Sequence, residues 1–139
     1  MILLDTSGLL SALFPDQRHH EACAAALLAA DPPFVLSPFV LAELDYLITK
    51  YAGVQAGIDF LSDVAAGAYA IAPYGGSGVA RAVRVVEHYR DLNIGLTDAS
   101  IVVLAEKYET REVLTLDERH FRSLRTENGR TFRLLPADA

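Results

Sequence analysis

Cysteine is almost absent: the 139 residues hold one, Cys23, which excludes an intrachain disulfide. Long apolar runs are lacking too. The longest, ACAAALLAA at 22–30, is about half the ~20 residues that cross a bilayer, so no segment reads as a membrane span. No basic leader precedes an apolar block, and the expected location is the cytoplasm. Net positive charge is missing: the formal balance is -6, whereas a protein that coats duplex nucleic acid is basic overall. That balance counts against a nonspecific nucleic-acid binder. It does not exclude an enzyme whose acids gather around cations, with basic residues placed elsewhere on the surface. Repeats, low-complexity tracts and linkers longer than a few residues are all absent, so the chain reads as a single domain over 1–139.

What is present is a globular composition, 52% hydrophobic with 22% charged residues. At this length a chain buries about two-thirds of the surface its unfolded form exposes. Charge is unevenly spread: residues 1–80 hold two basic side chains against eight acidic ones, and residues 81–139 hold ten of each. MILL predicts a buried strand, 7–13 a short helix, and PDQRHHEACAAALLAAD a helix opened by its proline. FVLS (34–37) reads as a second strand. Pro38 then opens a helix to about Tyr51 whose apolar face carries Val40, Leu44, Leu47, Ile48 and Tyr51. A helix over 54–66 and a strand AYAIAP (68–73) follow, and YGGSG reads as a turn into a Ser77-capped helix over 79–90, with Arg81 and Arg84 on its exposed side. A helix over 97–108, the strand EVLTL (112–116) and a last strand TFRLLP (131–136) complete the pattern. Strands alternating with helices imply an α/β fold: a mostly parallel sheet of about five strands, covered on both faces.

In such sheets reactive groups gather beyond the carboxyl ends of the strands, where strand order reverses. Asp5 lies just past the first strand and Asp117 just past the fourth. Glu43 sits early in the helix that leaves strand two. Asp98 sits in the opening turn of its helix, where the backbone dipole favours a negative group. Asp45, two positions after Glu43, is rotated to nearly the opposite side. Each acid taken singly reads equally as a turn cap or a solvated helix position. Four at one sheet edge read differently.

Asp5 in LLDTS, Glu43 in LAEL, Asp98 in LTDA and Asp117 in LTLDERHF resemble, in order and spacing, the acidic quartet of PIN-domain nucleases. The likeness is greatest to VapC-type toxins of type II toxin–antitoxin (VapBC) pairs, and it runs from residue 1 to about 135. Thr115 fits the family's hydroxyl-x-Asp pattern, while Gly8 departs from the usual Ala or Val. The resemblance implies a three-layer α/β/α PIN-like domain that holds Mg2+ or Mn2+ and hydrolyses RNA to a 5′-phosphate and a 3′-hydroxyl. It implies a target in a tRNA or rRNA loop, inhibition of translation, neutralisation by a VapB-like antitoxin, a homodimer and a toxin–antitoxin hetero-oligomer. SPFVLAELDYL resembles a subgroup that includes ribosomal-RNA cutters.

Charge repulsion supports the cation independently. Two carboxylates about 5 Å apart repel by about 3 kcal/mol at an effective dielectric of 20, so four together call for a positive partner. Hard oxygen ligands select Mg2+ or Mn2+ over zinc, and such an ion suits phosphodiester hydrolysis. Asp5 and Asp98 are the expected direct ligands. Glu43 and Asp117 complete the shell or act through water, and Thr6, Ser7 and Thr115 are the expected donors that hold the acids. Arg119, Arg122 and Arg125 are candidates to grip RNA phosphates, whereas His120 receives no catalytic role. His19, His20 and Cys23 have helical zinc-like spacing but no distant partner pair, and read as helix surface. YGGSG lacks the Lys-Ser/Thr of a phosphate-binding loop. Two other readings compete: a non-catalytic PIN-like interaction domain, and a phospho-acceptor signalling domain. The latter needs a lysine at a later strand end, and the only two, Lys50 and Lys107, fall in helical stretches.

Overall fold

A computed structural model describes residues 1–139. Five short strands, β1 (Ile2–Leu4), β2 (Phe34–Leu36), β3 (Ala70–Ile71), β4 (Glu112–Leu114) and β5 (Arg133–Leu135), form one sheet in the order β3-β2-β1-β4-β5. Every neighbouring pair is parallel. Ile2, Leu3 and Leu4 are all buried, as an unbroken apolar run in the middle of a sheet covered on both faces requires. The chain adds β2 and β3 on one side of β1 and β4 and β5 on the other, so strand order reverses between β1 and β4. This is the juxtaposition that Asp5 and Asp117 require.

Seven helices cover the sheet: α1 (Thr6–Leu13), α2 (His20–Ala29), α3 (Pro38–Ala52), α4 (Val54–Ala65), α5 (Gly76–His88), α6 (Leu96–Lys107) and the single turn α7 (Glu118–Phe121). None is long and apolar enough to cross a membrane. In α6 the whole run from Ala99 to Ala105 is buried, the pattern of a helix enclosed on all sides. Ser37 caps α3 through the Phe39 N–H at 3.2 Å, and its Oγ lies 2.8 Å from Ser100 Oγ. That bond ties the start of α3 to α6. Gly8 explains its own identity: a Cβ there would stand 2.4 Å from the Leu114 carbonyl oxygen. Without one, α1 lies directly on the end of β4.

Several elements differ from the sequence expectation. α2 starts at His20 rather than at Pro15, because residues 15–19 turn through bonds from Gln17 N to Phe14 O and from His20 N to Gln17 O. Phe14 packs edge-on against Tyr51 with centroids 5.6 Å apart, and the Tyr51 hydroxyl bonds Asp16. α5 begins at Gly76 with Gly75 as its cap, so Ser77 lies inside the helix and caps nothing. The Tyr74 ring occupies the space beside Gly78, where a Cβ would meet it at 2.9 Å, and its hydroxyl donates to the Gly78 carbonyl at 2.9 Å. Near the N-terminus Leu9 is fully buried, and Leu13 and Phe14 pack on the core. The exposed apolar stripe lies on α4, at Val54, Ile58 and Leu61.

Candidate active site

The Asp5 N–H donates to the Leu114 carbonyl at 3.0 Å, extending the β1–β4 ladder one residue past the strand. Its side chain does not cap α1. Instead Oδ2 accepts the Thr115 hydroxyl at 2.6 Å and the Ser7 hydroxyl at 3.3 Å. Thr115 Oγ1 in turn accepts the Asp117 N–H at 2.9 Å, and Ser7 Oγ accepts the Leu116 N–H at 3.0 Å. The carboxylate is thus fixed to the turn that presents Asp117. Burial pushes the Asp5 carboxyl up from its ordinary range, against the opposing bonds from Thr115, Thr6 and Ser7.

Asp98 enters from the first turn of α6. Burial above all, and then the charges of Asp5, Asp117 and Glu43, push its carboxyl up to about 6, with His120 opposing them. Asp117 caps α7, with Oδ1 accepting the His120 N–H at 3.0 Å. Glu43 projects from α3 at the exposed rim, where Thr97 Oγ1 approaches its Oε2 at 3.5 Å. The structure therefore brings Asp5, Glu43, Asp98 and Asp117 together, from four separate elements, around one open cleft of about 540 Å3. Asp45 stands away from it, 3.8 Å from where a Gly57 Cβ would lie between α3 and α4.

His120 also lines the cleft. Its Nδ1 lies 3.0 Å from Asp117 Oδ2 and 3.4 Å from Asp98 Oδ2. Both neighbours are acceptors, which places the ring proton on Nδ1. With its backbone N–H on Oδ1, one residue holds both oxygens of Asp117. The signal in the sequence was only the spacing of three after a capping Asp, and α7 is too short to announce itself by periodicity.

These residues fit a hard divalent cation. One donor atom each from Asp98, Asp117 and His120 lie within 4.8 Å of one another. Thr6 Oγ1, in the same cleft lining, is buried and has no hydrogen-bond partner, unlike the bonded hydroxyls of Ser7 and Thr115. A raised Asp98 carboxyl among three other acids marks a place short of positive charge.

The other sequence-derived positions lie outside the cleft. Arg119 is exposed and pairs with no acid. Arg122 is held by Glu118 at 2.8 Å and Asp138 at 2.7 Å, and Arg125 donates to the Arg122 and Leu124 carbonyls. Cys23 is fully buried and His20 bonds the Ser11 carbonyl at 2.9 Å.

The PIN domain family model matches residues 2–126. The chain belongs to the PIN-domain family. Over 135 residues this PIN domain is 40% identical to Ribonuclease VapC26 of Mycobacterium tuberculosis (strain ATCC 25618 / H37Rv), covering 97% of this chain and all of that relative. Its fold is shared by M. tuberculosis VapC20, a Sarcin-Ricin loop cleaving toxin, at a TM-score of 0.77 and 15% identity over 84% of this chain and 90% of that one. A toxin–antitoxin complex from Klebsiella pneumoniae contains the same fold, at a TM-score of 0.67 and 23% identity over 89% and 92% of the two chains.

Proposed function

We propose that this PIN domain, acting as one unit over residues 1–139, is a divalent-metal-dependent endoribonuclease toxin of the VapC type. It cuts a phosphodiester in structured RNA, a tRNA or rRNA loop, leaves a 5′-phosphate and a 3′-hydroxyl, and so halts translation in the cytoplasm. The observation that carries the reading is the convergence of four acids on one cleft, with Asp98 raised to about 6. The 40% identity to a named ribonuclease supports RNA as substrate.

Asp5 and Asp98, the innermost carboxylates, would hold Mg2+ or Mn2+ most directly, with Asp117 and Glu43 completing the shell. Bound there, the ion supplies Lewis acidity, acidifying a water and offsetting charge on the phosphoryl oxygens. Thr115 and Ser7 fix the Asp5 carboxylate, and His120 fixes that of Asp117. Glu43 has one contact, at 3.5 Å through Oε2, which leaves Oε1 free to accept the proton of the attacking water.

An antitoxin of VapB type is the proposed inhibitor, and the partner protein in the Klebsiella complex supports it. The exposed stripe of Val54, Ile58 and Leu61 on α4, spaced for one helix face, suits an amphipathic partner segment. The toxin is further proposed to pair with a second copy of itself. Purified protein freed of its inhibitor is expected to cut bulk tRNA or rRNA with Mg2+ or Mn2+ and to stop in excess EDTA. Cutting that survives EDTA, or survives both Asp5→Asn and Asp98→Asn, overturns the proposal.

A further inference from the structure

A second cleft, of about 350 Å3, lies between α5 and the segment that follows α7. Arg84 and His88 reach it from α5 and Tyr89 from the cap of that helix, Arg125 lines it from the segment after α7, and Val85 and Val102 form the buried floor. One acid lines it, Glu127, and that carboxylate is engaged by Arg81 at 2.6 Å. Arg84 and Arg125 have no carboxylate within ion-pair distance. Two unpaired guanidinium groups therefore share one groove whose single acid is already engaged.

Arg125 is also held in place. Its backbone N–H donates to Tyr89 Oη at 3.1 Å, and one guanidinium nitrogen donates to two carbonyls at 2.8 and 2.9 Å. The rest of the fork is free, and a planar guanidinium matches a phosphate. The edge-on pair of His88 and Tyr89 rings, 4.7 Å between centroids, sits beside it as a surface on which a base can stack.

Two short stretches of chain link the groove to the acid cleft. Tyr89 leads through the turn Arg90–Leu92 to the first turn of α6, which bears Asp98, and Arg125 follows α7, whose cap is Asp117. The acid cleft repels phosphates on either side of the one being cut, so binding energy for a polyanion has to come from outside it. We infer that this groove is the track for the RNA backbone flanking the scissile linkage, with Arg84 and Arg125 each gripping a phosphate. The inference rests on the ribonuclease reading above.

The test uses the full chain, with Asp98→Asn added in binding assays to prevent cutting. The probes are a fluorescein-labelled 20-nucleotide uridine oligomer for affinity and bulk rRNA for turnover. Arg84→Gln and Arg125→Gln are each expected to weaken oligomer binding about 5- to 10-fold. The double variant is expected to flatten the dependence of log K on log salt by about 1.4, since each lost contact to a single strand removes about 0.7. In the cutting-competent protein KM rises in step and kcat holds, while Arg18→Gln, an equal charge change in an exposed turn between α1 and α2, leaves both unchanged. Should the double variant lose thermal stability, Arg84→Gln alone carries the test, because Arg84 is exposed and makes no contact to lose. Unchanged affinity and salt slope in variants of a protein that still cuts RNA overturn the track and leave the ribonuclease reading standing. A parent that neither binds nor cuts RNA removes both. Loss of antitoxin binding with RNA binding intact assigns the groove to a protein partner and overturns the track.

Discussion

Asp98 shows most directly how the proposed function and stability oppose each other in this molecule. Its carboxyl is raised to about 6 by burial and by three neighbouring acids, so keeping it ionised at neutral pH costs the folded state free energy. Asp98→Asn is expected to abolish cleavage, at least a hundredfold in kcat, and yet to stabilise the metal-free protein by on the order of 2 kcal/mol, read as a higher denaturation midpoint. His120→Ala is expected to weaken Mn2+ binding 10- to 100-fold in a spin-resonance titration, because Asp117 loses the donor on Oδ2. His120→Asn, which keeps a side-chain N–H, recovers part of that loss. The four acids could be read from the sequence because each carries its own local context: a strand end for Asp5 and Asp117, a first helical turn for Asp98, an early helix position for Glu43. His120 could not, since its place depends on a four-residue helix and on a carboxylate that arrives from α6. Nor could the fate of the arginines, because nothing near Arg122 in the chain announces Asp138, to which it is bound.

Among the elements, the strands and long helices were legible from apolar runs and capping residues, whereas strand order was not, since alternation implies a parallel sheet without fixing which strands are neighbours. The start of α2 was not, because Phe14 and Asp16 are claimed by Tyr51 from α3, a partner no local pattern reveals. The start of α5 was hidden in glycines that serve the Tyr74 ring rather than a turn. Contact between α1 and β4 yields the sharpest expectation at this scale. Gly8→Val drives a side chain into the Leu114 carbonyl, a backbone group that cannot swing aside. It is expected to cost at least 1–3 kcal/mol, seen as a fall of several degrees in thermal midpoint. Cleavage should fall as well, because moving α1 shifts Ser7 and Asp5 away from Thr115.

For the molecule as a whole, two opposed titrations shape stability. Asp138 is held down to about 2 by Arg122, so its contribution is present above the ordinary carboxyl range and fades as pH falls toward 2. Asp98 works the other way: the folded state keeps a proton that the unfolded chain has lost between about 4 and 6, so metal-free stability declines as pH rises through that window. A divalent cation removes this penalty. Scanning calorimetry should therefore show a larger Mn2+-induced rise in midpoint at pH 7.5 than at pH 5; an equal rise at both would place the ion elsewhere. The pairing of β1 with β4 has one more consequence. Asp5 precedes its hydroxyl anchor Thr115 by 110 positions, with its carbonyl anchor Leu114 just before that threonine. A polypeptide synthesised only as far as α6 consequently lacks the groups that lock this carboxylate in place, and the acid cleft assembles only once β4 has emerged.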